Sequence, residues 1–155
     1  MKAVIQRVSR AHVSVDGEVV GKIDQGYMIL LGVAQGDTEE DLDKLLSKIL
    51  KLRIFEDENG KMNRSIMDVG GGLLVISQFT LMANYRQGNR PDFLGAAAPA
   101  EAERLYELFV SKAAEQVALV QKGVFGAHMA VELVNDGPVT ICMDSEVLKT
   151  PKKQA

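Results

Sequence analysis

Apolar residues along this chain change their spacing several times, and each change marks an element. Val13-Ser14-Val15 and Val19-Val20-Gly21-Lys22-Ile23 flank Asp16-Gly17, a dipeptide suited to a two-residue hairpin turn, so two strands are expected there. Tyr27-Met28-Ile29-Leu30-Leu31-Gly32-Val33 has no polar side chain at any position, as a strand covered on both faces should not. The period then lengthens. Leu42, Leu45, Leu46, Ile49 and Leu50 recur at helical spacing with charged residues between them. Thr38 stands ahead of that run as an N-cap, and Asp41 three residues later completes a capping-box arrangement. This segment reads as a scaffold helix laid over a sheet.

Beyond it, Arg53-Ile54-Phe55 leads into a polar turn, Glu56-Asp57-Glu58-Asn59-Gly60-Lys61. Gly70-Gly71-Gly72 precedes a short apolar strand, Leu73-Leu74-Val75-Ile76, which delivers Ser77-Gln78-Phe79-Thr80 at its end. A polar loop carrying Gly88, Asn89, Arg90 and Pro91 follows. Pro99 is placed to open a second amphipathic helix running through Leu105, Leu108, Phe109 and Val117. The end of the chain is expected to form two paired strands, residues 128–134 and 139–144, joined by Asn135-Asp136-Gly137-Pro138. No repeat, linker or shift in composition divides the sequence, so residues 1–155 are read as one domain. Strands, helix, strands, helix, strands in that order predict an α/β fold with two main helices over sheet layers.

Composition narrows the function classes. With 46% hydrophobic and 25% charged residues the chain has the make-up of an ordinary globular domain. No apolar run reaches the length needed to span a bilayer, and the apolar run at the N-terminus, Met1 to Val8, is too short for the core of a signal peptide, so no membrane association is expected. The single cysteine, Cys142, excludes an internal disulfide framework and fits a reducing cytoplasm. A net charge of −3 argues against a protein that grips long duplex nucleic acid, DNA included, by neutralising phosphates. Reading the end of an RNA needs only a few local cations, and that class stays open.

The familiar catalytic constellations are missing. The two histidines, His12 and His128, each stand at the start of an expected strand without metal-ligand spacing between them. Cys142 sits between Ile141 and Met143 and reads as a packing residue. There is no Gly-x-Ser-x-Gly elbow, P-loop or dinucleotide fingerprint. Two polar stretches at strand ends remain. Hydroxyls and backbone amides in Ser77-Gln78-Phe79-Thr80 are suited to holding an acyl oxygen or its developing oxyanion, although such a stretch also serves simply as a polar strand end. Asn135-Asp136-Gly137-Pro138 is turn chemistry, and on base rate alone its Gly-Pro bond would be trans, since only ~5% of such bonds are cis.

Those same stretches carry a resemblance. Met1-Lys2-Ala3-Val4-Ile5-Gln6-Arg7-Val8, Leu52-Arg53-Ile54-Phe55-Glu56-Asp57, Gly60-Lys61-Met62-Asn63, Ser77-Gln78-Phe79-Thr80-Leu81, Asn89-Arg90-Pro91 and Asn135-Asp136-Gly137-Pro138-Val139-Thr140 together resemble the D-aminoacyl-tRNA deacylase family, also called D-tyrosyl-tRNA deacylases. The sequence departs from the family's usual pattern at Gly72, where glutamate is common, and at Gln121-Lys122-Gly123, where Thr-Gly is common; neither touches the two signature blocks.

The resemblance implies a three-layer β-β-α sandwich of the deacylase type. It also implies a homodimer in which a cis Gly137-Pro138 turn enters the partner's active site, excluding L-aminoacyl groups and admitting D-aminoacyl groups and glycine. Arg7 would orient that turn. Ser77, Gln78, Phe79 and Thr80 would line the pocket for the aminoacyl 3′ end of tRNA, with Thr80 either a positioning group or a nucleophile. Glycine mischarged on alanine tRNA would be a further substrate, and no cofactor or metal is implied. The residues themselves favour Thr80 as a positioning group, because no base is evidently paired with it and an unassisted hydroxyl is a weak nucleophile. Two other classes compete: an RNA-end-binding module without catalysis, which would not need a chirality-rejecting turn, and an amidohydrolase of small molecules, which lacks an evident metal or base.

Overall fold

A computed structural model describes residues 1–149. Its elements in chain order are β1 (Lys2–Val15), β2 (Glu18–Ile23), β3 (Gly26–Gly32), α1 (Glu39–Lys51), β4 (Phe55–Glu56), β5 (Met62–Arg64), α2 (Ile66–Val69) and β6 (Gly72–Ser77). A 3-10 turn (Phe79–Met82), α3 (Pro99–Ala114), β7 (Val120–Lys122), β8 (Ala130–Asp144) and α4 (Ser145–Lys149) complete them. The Asp16-Gly17 hairpin forms as its sequence expects: both residues adopt positive φ, at 50° and 80°, and join β1 to β2. Helix α1 begins at its expected cap, where the Thr38 N–H donates to Asp41 Oδ2 at 2.9 Å. Burial alone would raise the Asp41 pKa, but hydrogen bonds from Lys149, the Thr38 N–H and Ser145 outweigh it and hold the carboxyl well below its usual range.

One six-stranded sheet carries the fold, ordered β2-β1-β3-β6-β7 with β8 also on β1. β3 and β6 run parallel at its centre, with Tyr27 opposite Leu73 and Leu31 opposite Ser77. Both faces of this centre are covered, which accounts for their uninterrupted apolar sequences. Tyr27, Ile29, Leu31, Leu73 and Val75 point to one side, into a core shared with Leu42, Leu45 and Ile49 of α1 and Leu105, Tyr106 and Phe109 of α3. Met28, Leu74 and Ile76 point to the other, where they meet Val8, Ala11, Val13 and Ile23. Because β1 is long, its second half, β2 and the first half of β8 fold over as a second β layer. The β-β-α sandwich is therefore one curled sheet plus two main helices.

Three expectations need correction. Strand β1 starts at Lys2, so His12 lies deep within a strand and not at its start; its ring pairs with Glu132, directly across on β8. Helix α3 ends at Ala114, short of Val117: Glu115 and Gln116 bond back to Lys112 and Ala113 in i→i+3 fashion, and Val117 reaches the core from beyond the helix. The third concerns the last strands. Segments 128–134 and 139–144 do not pair with each other; residues 130–134 and 139–144 belong to one strand, β8, which lies along β1, and His128, expected to start a strand, precedes it. A 14-residue partner is long enough to take the whole run. Among the described residues, no helix is long and apolar enough to cross a membrane.

Candidate active site

Parallel pairing with β3 carries β6 out to Ser77, and there the chain turns. The Gln78 N–H donates to Leu31 O at 2.8 Å, fastening the turn to the end of β3. Gly32 makes this approach feasible: a Cβ there would stand 2.9 Å from Met82 Cε and 3.0 Å from Gln78 O. The 3-10 turn that follows leaves the Phe79 and Thr80 amides at its start, where a helical turn has no internal acceptor to offer.

These residues edge a cleft of about 480 Å³, within the range of small-ligand sites. Ser77, Gln78 and Phe79 form one wall, Ala96, Ala97 and Pro99 a second, and the stretch from Phe125 to Met129 a third. The lining is mostly apolar. Among the described residues His128 is the one titratable side chain on it. Thr80 stands exposed beside the cleft, outside its lining, and is tied to it because Gln78 Nε2 donates to Thr80 Oγ1. An amide has no basic site for the hydroxyl proton, so this contact orients Thr80 without activating it.

The structure groups Arg7, Gly137 and Pro138 elsewhere. Along the β1–β8 ladder, Gln6 faces Thr140 and Val8 faces Asn135, so residues 136–139 have only Arg7 opposite them and bulge out. Asn135 closes the neck of the bulge: its Oδ1 accepts from the Val139 N–H at 2.7 Å and its Nδ2 donates to Thr140 Oγ1 at 2.9 Å. From beneath, Arg7 Nε donates to Asp136 O at 2.9 Å and Nη1 to Ile54 O at 2.7 Å. Arg7 as a whole is 5% exposed, so the loop rests on a buried guanidinium held at two of its nitrogens. The Gly137–Pro138 peptide is cis, and both residues are exposed.

These two groups sit at opposite ends of β3. Arg7 pairs with Tyr27 near its start, whereas Ser77 pairs with Leu31 near its finish. Four residue steps of ~3.3 Å separate them by roughly 13 Å along the strand. Neither Gly137 nor Pro138 lines the cleft of its own chain.

The cleft also includes residues that sequence reading passed over. His128 precedes β8 in a turned segment where Gly126 has φ 77° and the Ala127 N–H donates to Val124 O. Phe125 packs on Tyr106 at 6.1 Å between ring centroids. Gly126 was the available signal, since glycine at the head of an expected strand marks a turn. Nothing in residue type flagged Ala96 or Ala97; they come to the cleft because Ala97 N–H donates to Val33 O.

Comparison with known proteins decides the family. The model of the family described as D-Tyr-tRNA(Tyr) deacylase matches residues 4–144. The chain belongs to that family. A D-aminoacyl-tRNA deacylase of Kosmotoga olearia is 59% identical over 145 residues, covering 94% of this chain and 97% of the relative. Another of that name, from Persephonella marina, is 57% identical and covers 96% and 100% of the two chains. Among solved structures, the c-Myc DNA Unwinding Element Binding Protein superposes with a TM-score of 0.88 at 44% identity, covering 93% of this chain and 98% of that one. A probable eukaryotic D-amino acid tRNA deacylase shares the fold at a TM-score of 0.74 and 17% identity, covering 92% and 98%. The family match spans both polar groups, the cleft edge at 77–80 and the Arg7-held loop.

Proposed function

We propose that this protein hydrolyses the ester linking a D-amino acid to the 3′ end of tRNA, releasing free tRNA and the D-amino acid. Glycyl-tRNA mischarged on alanine tRNA is a second substrate, and L-aminoacyl-tRNA is refused. The observation that carries this reading is the division of one chain into an open cleft and a rigid projecting loop at the far end of β3. Each lacks what the other has, and a homodimer that sets the loop of one subunit into the cleft of the other completes both.

In that arrangement Ser77, Gln78 and Phe79 hold the aminoacyl adenosine. The Phe79 and Thr80 amides receive the carbonyl oxygen as charge develops on it. The Gly137 backbone, held by Arg7, forms the wall against an L side chain; exclusion requires a fixed obstacle and no attractive contact. An aminoacyl ester is already activated, so positioning and oxyanion donors supply much of the acceleration without a metal or cofactor. The test is one deacylation assay on D-tyrosyl-, L-tyrosyl- and glycyl-tRNA, with and without chelator. Hydrolysis of the D and glycyl esters alone, unaffected by chelation, is expected. Equal cleavage of the L ester, or loss of activity on chelation restored by added metal, would remove this reading.

A further inference from the structure

The proposed substrate brings phosphates to the cleft, yet the chain as a whole is acidic, with a net charge of −3. Loop 84–92 departs from that average. It leaves the 3-10 turn just after Met82 and returns at Phe93, whose ring meets Phe79 of the cleft edge-on at 5.1 Å. Its neck is closed by two backbone hydrogen bonds: Asn84 N–H to Asp92 O at 2.8 Å, and Asp92 N–H to Asn84 O at 3.0 Å. The loop's one acid, Asp92, is engaged at this neck by Asn84 Nδ2 and the Leu94 N–H. The tip presents Arg86, Arg90 and Tyr85, which is 80% exposed. Neither guanidinium has an acidic partner within salt-bridge distance among the described residues. Six of the molecule's other described cations, Lys44, Arg64, Arg104, Lys112, Lys122 and Lys149, are by contrast engaged by carboxylates.

We infer that loop 84–92 is an acceptor-end clamp, in which Arg86 and Arg90 take backbone phosphates of the single-stranded tRNA 3′ end and Tyr85 stacks on one of its bases. This inference rests on the proposed function and names the binding surface beside its cleft. Unpaired guanidinium groups on a pinned loop are suited to phosphate oxygens, and a solvent-facing ring offers a base any π-face it needs. Placement decides the partner: both roots of the loop adjoin cleft residues, so a strand whose last nucleotide fills the cleft runs across the tip. A protein partner would call for a larger apolar face.

The experiment measures binding of an uncharged acceptor-stem minihelix ending in a single-stranded 3′ overhang, across a salt titration. Arg86→Ala/Arg90→Ala should weaken binding roughly tenfold and flatten the log-log salt slope by about 1.4 to 1.8, the share of two phosphates. Tyr85→Ala should weaken it at least ~5-fold with the slope unchanged. Arg86→Lys/Arg90→Lys should restore the slope. On D-aminoacyl-adenosine, which carries no phosphate, the deficit of the double variant should be several-fold smaller than on D-aminoacyl-tRNA. An unchanged slope in the double variant, or an equal deficit on both esters, would overturn the clamp. If wild type shows the loop-dependent slope but cleaves no ester, the deacylase reading fails and the clamp stands. If it cleaves D esters while the variants bind as it does, the clamp fails alone.

Discussion

The two polar regions of this molecule are built by opposite means. The cleft edge at 77–80 is the continuation of a buried parallel strand, and its position follows from backbone pairing: Ser77 lies opposite Leu31, and the Gln78 amide is bonded to Leu31 O. The loop at 136–139 is a departure from pairing, four residues in a ladder with room for one, and its position follows from a side chain, Arg7. A region placed by a sheet tolerates change in any single side chain. A region placed by one guanidinium does not. The division suits the proposed roles, since a cleft must receive varied amino acids while a chiral wall must hold one position.

Arg7 should therefore give the largest effect. Arg7→Ala releases the carbonyls of Asp136 and Ile54 from charge-assisted hydrogen bonds, and we expect stability to fall by about 3 kcal/mol. Hydrolysis of D-tyrosyl-tRNA should fall on the order of 100-fold, because a misplaced wall no longer confines the ester. Arg7→Lys should rescue little, since a single ammonium cannot serve two carbonyls in the fixed fork geometry. Thermal denaturation and single-turnover deacylation together check this. Near-normal rates in Arg7→Ala would break the contrast between the two regions.

A smaller effect is expected at the loop's own backbone. Gly137 has φ 142°, and a Cβ there would stand 2.8 Å from Val139 Cγ2 and 2.9 Å from Val139 N. Gly137→Ala therefore costs about 1–3 kcal/mol of local strain, which an exposed loop relieves by shifting. We expect a Tm closer to wild type than that of Arg7→Ala, together with roughly tenfold poorer discrimination between D- and L-tyrosyl-tRNA. Discrimination at the wild-type level would separate the loop from chiral selection.

The contrast also explains what the sequence made legible. Elements placed by period and turn chemistry were readable: the Asp16-Gly17 hairpin, the Thr38 cap, and the strand that ends at Ser77. The continuity of β8 was not. Asn135-Asp136-Gly137-Pro138 carries the composition of a hairpin turn, and only the length of β1 on the other side of the ladder converts it into a bulge. Local composition can signal that a chain bends but not which strand receives it afterwards. The same limit hid His128 and Phe125, which enter the cleft through the turn at Gly126 and have no patterned partner in sequence. Ser77, Gln78 and Phe79 lie together on the cleft lining, while Thr80 lies only at its edge.

Thr80 should give the smallest effect of the three. Its hydroxyl lies on the exposed rim and accepts a hydrogen bond from the Gln78 amide, a group that cannot remove its proton. Replacing the side chain leaves the Thr80 N–H in place, so both amides at the start of the 3-10 turn remain available for the proposed oxyanion contact. What is lost is the contact that steadies Gln78. Thr80→Ala should accordingly keep its rate within about tenfold of wild type, a cost near 1.4 kcal/mol, whereas removal of an obligatory nucleophile would cost several orders of magnitude. Single-turnover hydrolysis of D-tyrosyl-tRNA measures the rate, and rapid acid quenching followed by mass spectrometry looks for an ester on Thr80. An acyl-threonine that forms and decays at the catalytic rate would show that the cleft edge, like the loop, depends on one side chain.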